Sequence, residues 1–293
     1  MAGQLKEVRN RIKSVQSTQQ ITKAMKMVSA AKLRRAQDAI QQMRPYAQKL
    51  QEMLSNIVST LEGETQLALA TARPVENVLL IVITSDRGLA GAYNANVIKA
   101  AKARIAEKYN SQFAAGKVTI WNIGKKGFES LTKSGYNTKD TFKDIFLNLT
   151  FENVQSAAKA AMQAFESKEF DVVEIVYSEF KNAASQVFKS EPFLPIPKVE
   201  NTQSAKKTDF IFEPAKEILI AELIPKILNT QLYKAVLDAN ASEHGARMTA
   251  MDKASENANE LLKSLKLSYN RARQAAITTE LTEIVSGAAA LQG

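Results

Sequence analysis

The sequence is poor in the residues that build most catalytic and metal sites. Its 293 residues include no cysteine and a single histidine, which excludes a disulfide, a zinc–thiolate site and a cysteine nucleophile. The sequence signatures of a phosphate-binding loop, a dinucleotide fold, a hydrolase elbow and a zinc protease are all missing. His244 stands alone beside Gly245, and we expect it on the surface, because one histidine cannot form a metal cluster. We therefore predict no catalytic residue, cofactor or metal site in this chain.

Long hydrophobic runs are missing as well. No stretch approaches the roughly 18 apolar residues that a membrane-spanning helix needs. The first residues are basic and amphipathic, but they lack the apolar core and cleavage site of a secretory signal. The same helical pattern continues to about residue 60, which argues against a transit peptide. We expect no direct membrane insertion.

Proline is absent after Pro225, and good helix formers continue from Leu228 with only Gly245 as an interruption before Gly287. Apolar residues recur there at helical spacing. Sixty residues at about 1.5 Å rise per residue form a helix on the order of 90 Å long. Such a helix needs an equally long partner to cover its apolar side. The predicted apolar stripe consists of Leu232, Val236, Met248, Met251, Ala258, Leu261, Leu265, Ile277, Leu281 and Ile284.

The N-terminal sixty residues predict that partner. Their apolar residues step by three and four, break at a polar segment at residues 16–20, and then resume. A broken heptad pattern favours a loosely wound antiparallel pair. We expect a kink or local unwinding at Pro45. The apolar positions are Leu5, Val8, Ile12 and Val15, followed by Ile21, Met25, Val28 and Leu33, and Val8, Ile12 and Val15 are expected to face the C-terminal third of the other helix.

The middle of the chain has a different character. Residues 77–84 form a continuous apolar run rich in β-branched side chains, which is typical of a strand buried on both faces. Strands and helices then alternate, and this predicts an α/β domain with a mainly parallel sheet and an antiparallel edge strand. The other predicted elements are strands at 117–122, 171–178 and 186–194 and helices at 93–108, 125–134 and 151–167.

The predicted fold class is thus α/β, with a domain inserted between two long helices that pair as an antiparallel coiled coil. We place the N-terminal shaft helix at residues 1–62 and the inserted domain at residues 74–200. The C-terminal shaft helix occupies residues 210–293.

Positive charge is concentrated at one end of the chain. Residues 1–50 hold eleven lysines and arginines against two acids, a net charge of +9, while the rest of the chain balances. Such a helix implies an acidic partner, which can be nucleic acid, anionic lipid or an acidic protein segment. Tyr46 is the only aromatic residue in this stretch, and stacking on nucleic acid requires aromatic residues. A basic coiled-coil nucleic-acid-binding protein is therefore the alternative rather than the preferred function.

Residues 84–91, TSDRGLAG, follow the first predicted strand, at a place where open α/β sheets often bind ligands. The two glycines permit a tight turn, and Arg87 is suited to a phosphate. The pattern differs from the dinucleotide fingerprint, so both a structural turn and a ligand site, as in a small-molecule enzyme, stay open.

Two sets of helical side chains also have two interpretations. Met25 and Lys26 in the first helix, and Arg273 and Gln274 in the second, suit packing against the partner helix or solvation. The same methionine, cationic and amide groups suit contacts with another protein.

Several segments closely resemble the gamma subunit of F-type ATP synthases of the bacterial type, the central stalk of that enzyme. The N-terminal match is Arg9–Arg35, and the middle match is Ser85–Leu89. The C-terminal matches are Ala246–Met251, Tyr269–Gln274 and Ile277–Ala288. Together with the α/β segment they cover essentially the whole chain.

The resemblance implies a non-catalytic subunit without a cofactor. Its helices would stand inside a hexamer of alpha and beta subunits, with the inserted domain towards the epsilon subunit and the membrane c-ring. It would transmit torque between proton or sodium flow and ATP synthesis or hydrolysis. The implied location is the cytoplasmic face of the bacterial inner membrane, where it would be a peripheral protein.

The resemblance also implies site residues. Arg273 and Gln274 would bond a loop of a beta subunit. Met25 and Lys26 would lie near an acidic segment of beta, and Arg247, on the facing part of the second helix, would also contact beta. The residues implied at the membrane ring or the epsilon subunit are Phe210 and Phe212.

Overall fold

The computed structural model of the chain describes residues 2–60, 68–183, 185–196 and 216–292. Contacts divide the chain into two compact units, Met1–Ser29 with Met248–Gly293 and Ala30–Arg247. Each of the two long helices contributes one end to each unit. Among the described residues, no helix combines the length and the apolar character that crossing a bilayer requires.

The two long helices are α1 (Ala2–Thr60) and α6 (Lys216–Gln292). Helix α1 contains Pro45 and continues through it, so the chain does not leave the helical path there. Both predicted long helices are confirmed.

In the first unit, the ends of α1 and α6 run antiparallel. Arg9 Nη2 donates to Tyr269 Oη over 2.9 Å, and Thr22 Oγ1 lies 2.7 Å from Ser255 Oγ. Lys26 Nζ lies 2.5 Å from Asp252 Oδ1. In these pairs the residue numbers on α6 decrease as those on α1 increase, so the two helices run in opposite directions. Val8, Ile12 and Val15, predicted to face the C-terminal third of α6, are half-buried.

The seam of this unit differs from the predicted one. Thr22 and Ser29 are buried, whereas Ile21 and Val28, one position earlier, are more than half exposed. One residue corresponds to a rotation of about 100° around a helix, so the seam departs from the predicted side at these two positions, whereas Val8, Ile12, Val15 and Met25 are half-buried as predicted. On α6, the predicted Met251, Ala258 and Leu265 are buried, together with Ser255, Leu262 and Ala276. The predicted Leu261, Ile277, Leu281 and Ile284 are exposed. Because Arg9 lies opposite Tyr269, Leu281 and Ile284 extend past the point where α1 begins.

The second unit contains a five-stranded sheet in the order β3-β2-β1-β4-β5. Pairing is parallel from β3 to β4, and β5 joins β4 antiparallel at the edge. This confirms the predicted mainly parallel sheet with an antiparallel edge. The strands are β1 (Val78–Ile83), β2 (Val118–Ile123), β3 (Thr138–Lys139), β4 (Val172–Phe180) and β5 (Gln186–Leu194).

Four helices accompany the sheet. Three of them match predicted helices, while α3 and strand β3 were not predicted, because elements of five and two residues are too short to show a period. Short 3-10 helices lie at Ala68–Ala70 and Ile145–Asn148. The α-helices are α2 (Tyr93–Lys108), α3 (Asn110–Ala114), α4 (Lys125–Lys133) and α5 (Phe151–Glu166).

Both faces of β1 are buried, as its continuous apolar sequence predicts. On one face Leu79 and Ile81 pack in a core with α5 and with the part of α6 around Leu232 and Val236. On the other face Leu80 and neighbouring residues pack with α2. The α6 helix is therefore a core element of the second unit as well as a seam partner in the first.

The buried carboxylate of Glu174 links α2 to the sheet through hydrogen bonds. Glu174 of β4 is fully buried, and Arg104 donates to it from Nε and Nη2 over 2.6 and 2.8 Å. Lys108 Nζ and Tyr109 Oη donate over 2.8 and 2.6 Å. Burial alone would raise the pKa of Glu174, but these donors, together with the Ser190 hydroxyl, lower it to about 2. The carboxylate therefore stays ionised inside the domain.

Candidate subunit-contact site

Met25 and Lys26 lie together on α1 in the first unit. Met25 is half-buried, and the Lys26 side chain is 42% exposed in its ion pair with Asp252. A pair that is this open to solvent is weak, on the order of 0–1 kcal/mol. Lys26 can therefore exchange Asp252 for an acidic group of another protein at little cost.

Arg273 and Gln274 are exposed on the C-terminal part of α6. Ala272 beside them is half-buried, and Ala276 is buried in the seam. The two polar side chains thus point away from the α1–α6 contact. They are free for directional bonds to a partner, which a guanidinium and an amide can both make.

An apolar band accompanies these polar residues. On α6, Leu281 is 57% exposed and Ile284 and Val285 are each 67% exposed. On α1, Met27 and Val28 are also more than half exposed, but they lie at the other end of this helix pair, since Lys26 next to them pairs with Asp252. The apolar band therefore consists of the three α6 residues, and a cluster of exposed apolar side chains marks a surface that another protein covers. Periodicity assigned several of them to the helix seam, so the sequence signal was present but was attributed to the wrong contact.

Residues 84–91 form a tightly fastened turn in the second unit. Three consecutive backbone N–H groups at the start of α4 donate into it: Lys125 N to Asp86 Oδ1 over 3.2 Å, Lys126 N to the Ser85 carbonyl over 3.0 Å, and Gly127 N to Thr84 Oγ1 over 2.8 Å. These are the donors that an anion at this helix start would use. Because the turn itself occupies them, the geometry favours a structural turn over a phosphate site.

Gly124 and Gly127 make this close approach possible. A Cβ on Gly124 would lie 2.2 Å from the Thr84 carbonyl oxygen, and the residue has φ +103. A Cβ on Gly127 would lie 2.7 Å from Thr84 Oγ1. Side chains at these positions would push α4 off the turn.

Arg247 is buried in the second unit, with 8% of its surface exposed. Its Nη2 donates to the carbonyl oxygens of Arg87 and Gly88 over 2.9 and 3.3 Å. Its Nη1 lies 2.5 Å from Glu243 Oε1, one helical turn earlier. The guanidinium is thus engaged within the chain, and the contact with beta that the resemblance implies for Arg247 stays a prediction.

His244 lies beside this arginine. Its Nδ1 is 3.4 Å from Arg247 Nη1, and the ring is half-buried rather than on the open surface that we expected. Burial, Arg247 and Lys32 together lower the pKa of His244 to about 4. The ring is therefore neutral near pH 7.

A cleft of about 670 Å³ opens between α1, the 84–91 turn and α6 within the second unit. Lys32, Arg35 and Arg87 contribute positive charge to it, and Asp86 contributes a carboxylate whose pKa is raised by burial. Phe146 supplies part of its apolar lining. The basic side chains of α1 and of the 84–91 turn therefore line the same cleft.

The predicted contacts Phe210 and Phe212 lie outside the described residues. Within the described residues, no group of three or more histidine, aspartate or glutamate side chains could hold a metal ion.

The chain combines an antiparallel helix pair with an α/β sheet domain, and the helix pair has an exposed apolar band and exposed polar groups. These features define a structural subunit of a larger assembly.

Comparison with known proteins agrees. The ATP synthase family profile matches residues 4–291. The ATP synthase gamma chain of Cytophaga hutchinsonii is 56% identical over 290 residues, covering 98% of both chains. That of Flavobacterium johnsoniae is also 56% identical, covering 99% of both chains. The chain belongs to the ATP synthase gamma-chain family, which confirms the resemblance read from the sequence.

Solved structures share the fold. The rotor of the Euglena gracilis mitochondrial ATP synthase in rotational state 1 superposes with a TM-score of 0.65 at 22% identity, covering 94% of this chain and 100% of that one. The central stalk and c-ring structure from Tetrahymena thermophila gives a TM-score of 0.56 at 23% identity, covering 80% of this chain and 99% of that one. At this identity the likeness concerns the fold alone.

Proposed function

We propose that this chain is the central rotor stalk subunit of an F-type ATP synthase. It transmits torque between the ion-driven membrane ring and the catalytic alpha/beta hexamer, and it has no catalytic site of its own. The observation that carries the proposal is the exposed apolar band on the first unit, most clearly Leu281, Ile284 and Val285. Such a band is costly in water, and enclosure by a ring of subunits removes that cost.

The proposed contact with a beta-subunit loop consists of Arg273 and Gln274. Both side chains are exposed and point away from the seam. Bonds from these groups contribute about 0.5–3 kcal/mol each, depending on charge. Such bonds are strong enough to favour one rotary angle and weak enough to break at the next step.

The basic helix α1 is proposed to face acidic segments of beta in turn as the stalk rotates. Lys26 supports this because its ion pair with Asp252 is half open to solvent. Met25 lies next to it and is half-buried. Arg247, in the second unit, is proposed to act on a beta subunit through the turn that it binds.

The remaining contacts concern the other end of the assembly. Phe210 and Phe212 are proposed to meet the membrane c-ring or the epsilon subunit, and the inserted domain at residues 74–200 is proposed to lie on that side. The proposed location is the cytoplasmic face of the bacterial inner membrane, where the protein is peripheral. The identity with bacterial gamma chains supports this location.

Reassembly tests the proposal. The chain is mixed with the alpha and beta subunits of the ATP synthase from Cytophaga hutchinsonii, whose gamma chain is 56% identical. Complex formation and ATP turnover are then measured. In parallel, binding to duplex DNA is measured over a range of salt concentrations, since electrostatic binding to DNA weakens steeply with salt. We expect a stable complex and weak, salt-sensitive DNA binding. Tight DNA binding without complex formation would favour the nucleic-acid alternative.

A further inference from the structure

The guanidinium of Arg247 bridges the carbonyl groups of two consecutive residues, Arg87 and Gly88, in the 84–91 turn. Nε and Nη2 both reach the Gly88 oxygen, over 3.4 and 3.3 Å, and Nη2 also reaches the Arg87 oxygen over 2.9 Å. Glu243 holds the other end of the guanidinium over 2.5 Å. A planar fork of donors can make this bridge, whereas the ammonium of a lysine cannot.

The turn that Arg247 binds is held by two further hydrogen bonds to neighbouring helices and by one within the turn. Asn94 Oδ1 accepts from the Ser85 backbone N–H over 2.9 Å. The Ser85 hydroxyl donates to the Arg87 carbonyl over 2.7 Å. On the α4 side, Asp86 accepts from the Lys125 backbone N–H over 3.2 Å. Every residue from 85 to 88 therefore takes part in at least one bond to the framework.

The tip of this turn is open to solvent. Arg87, Gly88 and Leu89 are exposed there. Leu89 is 65% exposed and adopts a left-handed backbone with φ 63. A leucine in this conformation is uncommon and persists when surrounding bonds enforce it. An apolar side chain held out to solvent in a strained conformation points to a contact that the chain does not itself supply.

We infer that Arg247 is a positioning residue, which fixes the Asp86–Leu89 turn so that Arg87 and Leu89 are presented to a neighbouring subunit. The inference rests on the proposed function for the identity of that neighbour, the catalytic alpha/beta hexamer. Arg247 acts on the contact through the turn, because its own side chain is buried and its donors are occupied. The partner meets a preformed surface, so little conformational freedom is lost on binding.

The first test uses the full chain alone. Hydrogen–deuterium exchange is compared at the amides of Ser85, Lys126 and Gly127, whose hydrogen bonds hold the turn. The proteins compared are the wild type, R247Q and R247K, with K159Q at an exposed lysine of α5 as the control. Loss of a charge-assisted bond to the turn should speed exchange there by about tenfold in both arginine variants. K159Q should match the wild type. Unchanged exchange in R247Q would overturn the inference. If R247Q fails to fold, R247K supplies the comparison because it keeps the charge and most of the volume.

The second test uses the complex reassembled with alpha and beta subunits, and it separates positioning from direct contact. R247Q, R247K, L89A and the R247Q/L89A pair are compared for ATP turnover and coupling. Positioning predicts that both arginine variants are impaired, and that the double variant is no worse than the more impaired single one. A direct contact of Arg247 with the partner predicts instead that R247K retains activity. It also predicts that the losses from R247Q and L89A multiply in the double variant. Either result would refute the inference. Failure of the wild-type chain to assemble would instead count against the proposed function, whereas the exchange result would stand.

Discussion

Thr22 Oγ1 and Ser255 Oγ lie 2.7 Å apart in a buried contact between α1 and α6. The Ser255 hydroxyl also lies 2.8 Å from the Met251 carbonyl, and that of Thr22 lies 3.0 Å from the Gln19 carbonyl. The seam of the first unit thus contains a hydroxyl pair where a conventional coiled coil has large apolar residues. Met251, Leu262 and Leu265 are buried in the same unit, so hydroxyl and apolar side chains share the seam.

Replacing Thr22 by valine should therefore have a modest effect on this seam. The change keeps the shape and removes one hydroxyl, while Ser255 keeps its bond to the Met251 carbonyl. We expect a loss of about 1 kcal/mol in the free energy of unfolding, measured by urea denaturation of the isolated subunit. T22V/S255A should be no less stable than T22V, because a buried hydrogen-bonded pair replaced by apolar groups is nearly neutral. A large further loss in the double variant would contradict this view of the seam.

The seam also shows how far the sequence could predict this fold. The β1 strand was predictable because its unbroken apolar run fits one environment, a sheet covered on both faces. Helices α1 and α6 were predictable in extent, but their facing sides only in part: Met251, Ala258 and Leu265 are buried as predicted, whereas Ile21 and Val28 are exposed. Both carry apolar residues on more than one side, and periodicity does not tell whether a residue such as Ile277 is covered by the same chain or by another protein.

The candidate site shows a similar limit. Arg273 and Gln274 were singled out by resemblance, and their exposure agrees with a partner contact. Arg247 was singled out in the same way, but its internal role depends on carbonyl groups about 160 positions earlier in the chain. No local pattern in the sequence encodes that proximity.

Asp238 should weaken the second unit near neutral pH. The residue is 3% exposed. Burial raises the pKa of its carboxyl from 3.8 to about 6, while Lys234 and Arg44 act in the opposite direction and Glu179 and Glu191 add to the rise. Since the folded-state pKa exceeds the unfolded one, the stabilising contribution is fully present below about pH 4. It is lost as the pH rises through about 6.

D238N should accordingly be more stable than the wild type at pH 7.5, by about 1–3 kcal/mol, and equally stable near pH 4. Unfolding by urea at the two pH values measures this difference. E222Q, which removes an exposed acid from the same helix, is the control and should change stability by less than about 0.5 kcal/mol at both pH values. A D238N protein that is less stable at pH 7.5 would show that the carboxylate has a favourable partner.

Glu174 is expected to behave in the opposite way. E174Q should destabilise the domain by about 3 kcal/mol, because it leaves Arg104 and Lys108 facing a neutral group at a fully buried position. The pKa of Glu174 is lowered to about 2, so its stabilising contribution is present above about pH 4.5 and is lost as the pH falls through about 2. Thermal unfolding of wild type and E174Q between pH 2 and 7 measures this. The two curves should converge towards acid pH, and a constant gap would contradict the assignment.

Arg273 and Gln274 are predicted to couple rotation to catalysis rather than to hold the fold. Their side chains are exposed on α6, beside the buried Ala276. Replacing both with alanine should leave the helical content and melting temperature of the isolated subunit nearly unchanged, since exposed positions contribute little to stability. Turnover of the reassembled complex should fall by about tenfold, which corresponds to about 1.4 kcal/mol of lost interaction with the beta subunit.

The matched control for this change is K266A/S268A, which removes two exposed polar side chains from the same helix. It should keep the turnover of the wild type, so that a loss in R273A/Q274A is specific to its position and not to a less polar helix. Full turnover in an assembled R273A/Q274A complex would refute the coupling role. A lower melting temperature of the isolated R273A/Q274A subunit would instead assign both residues to the packing of α6, because only a contact within the chain can be lost when no partner is present.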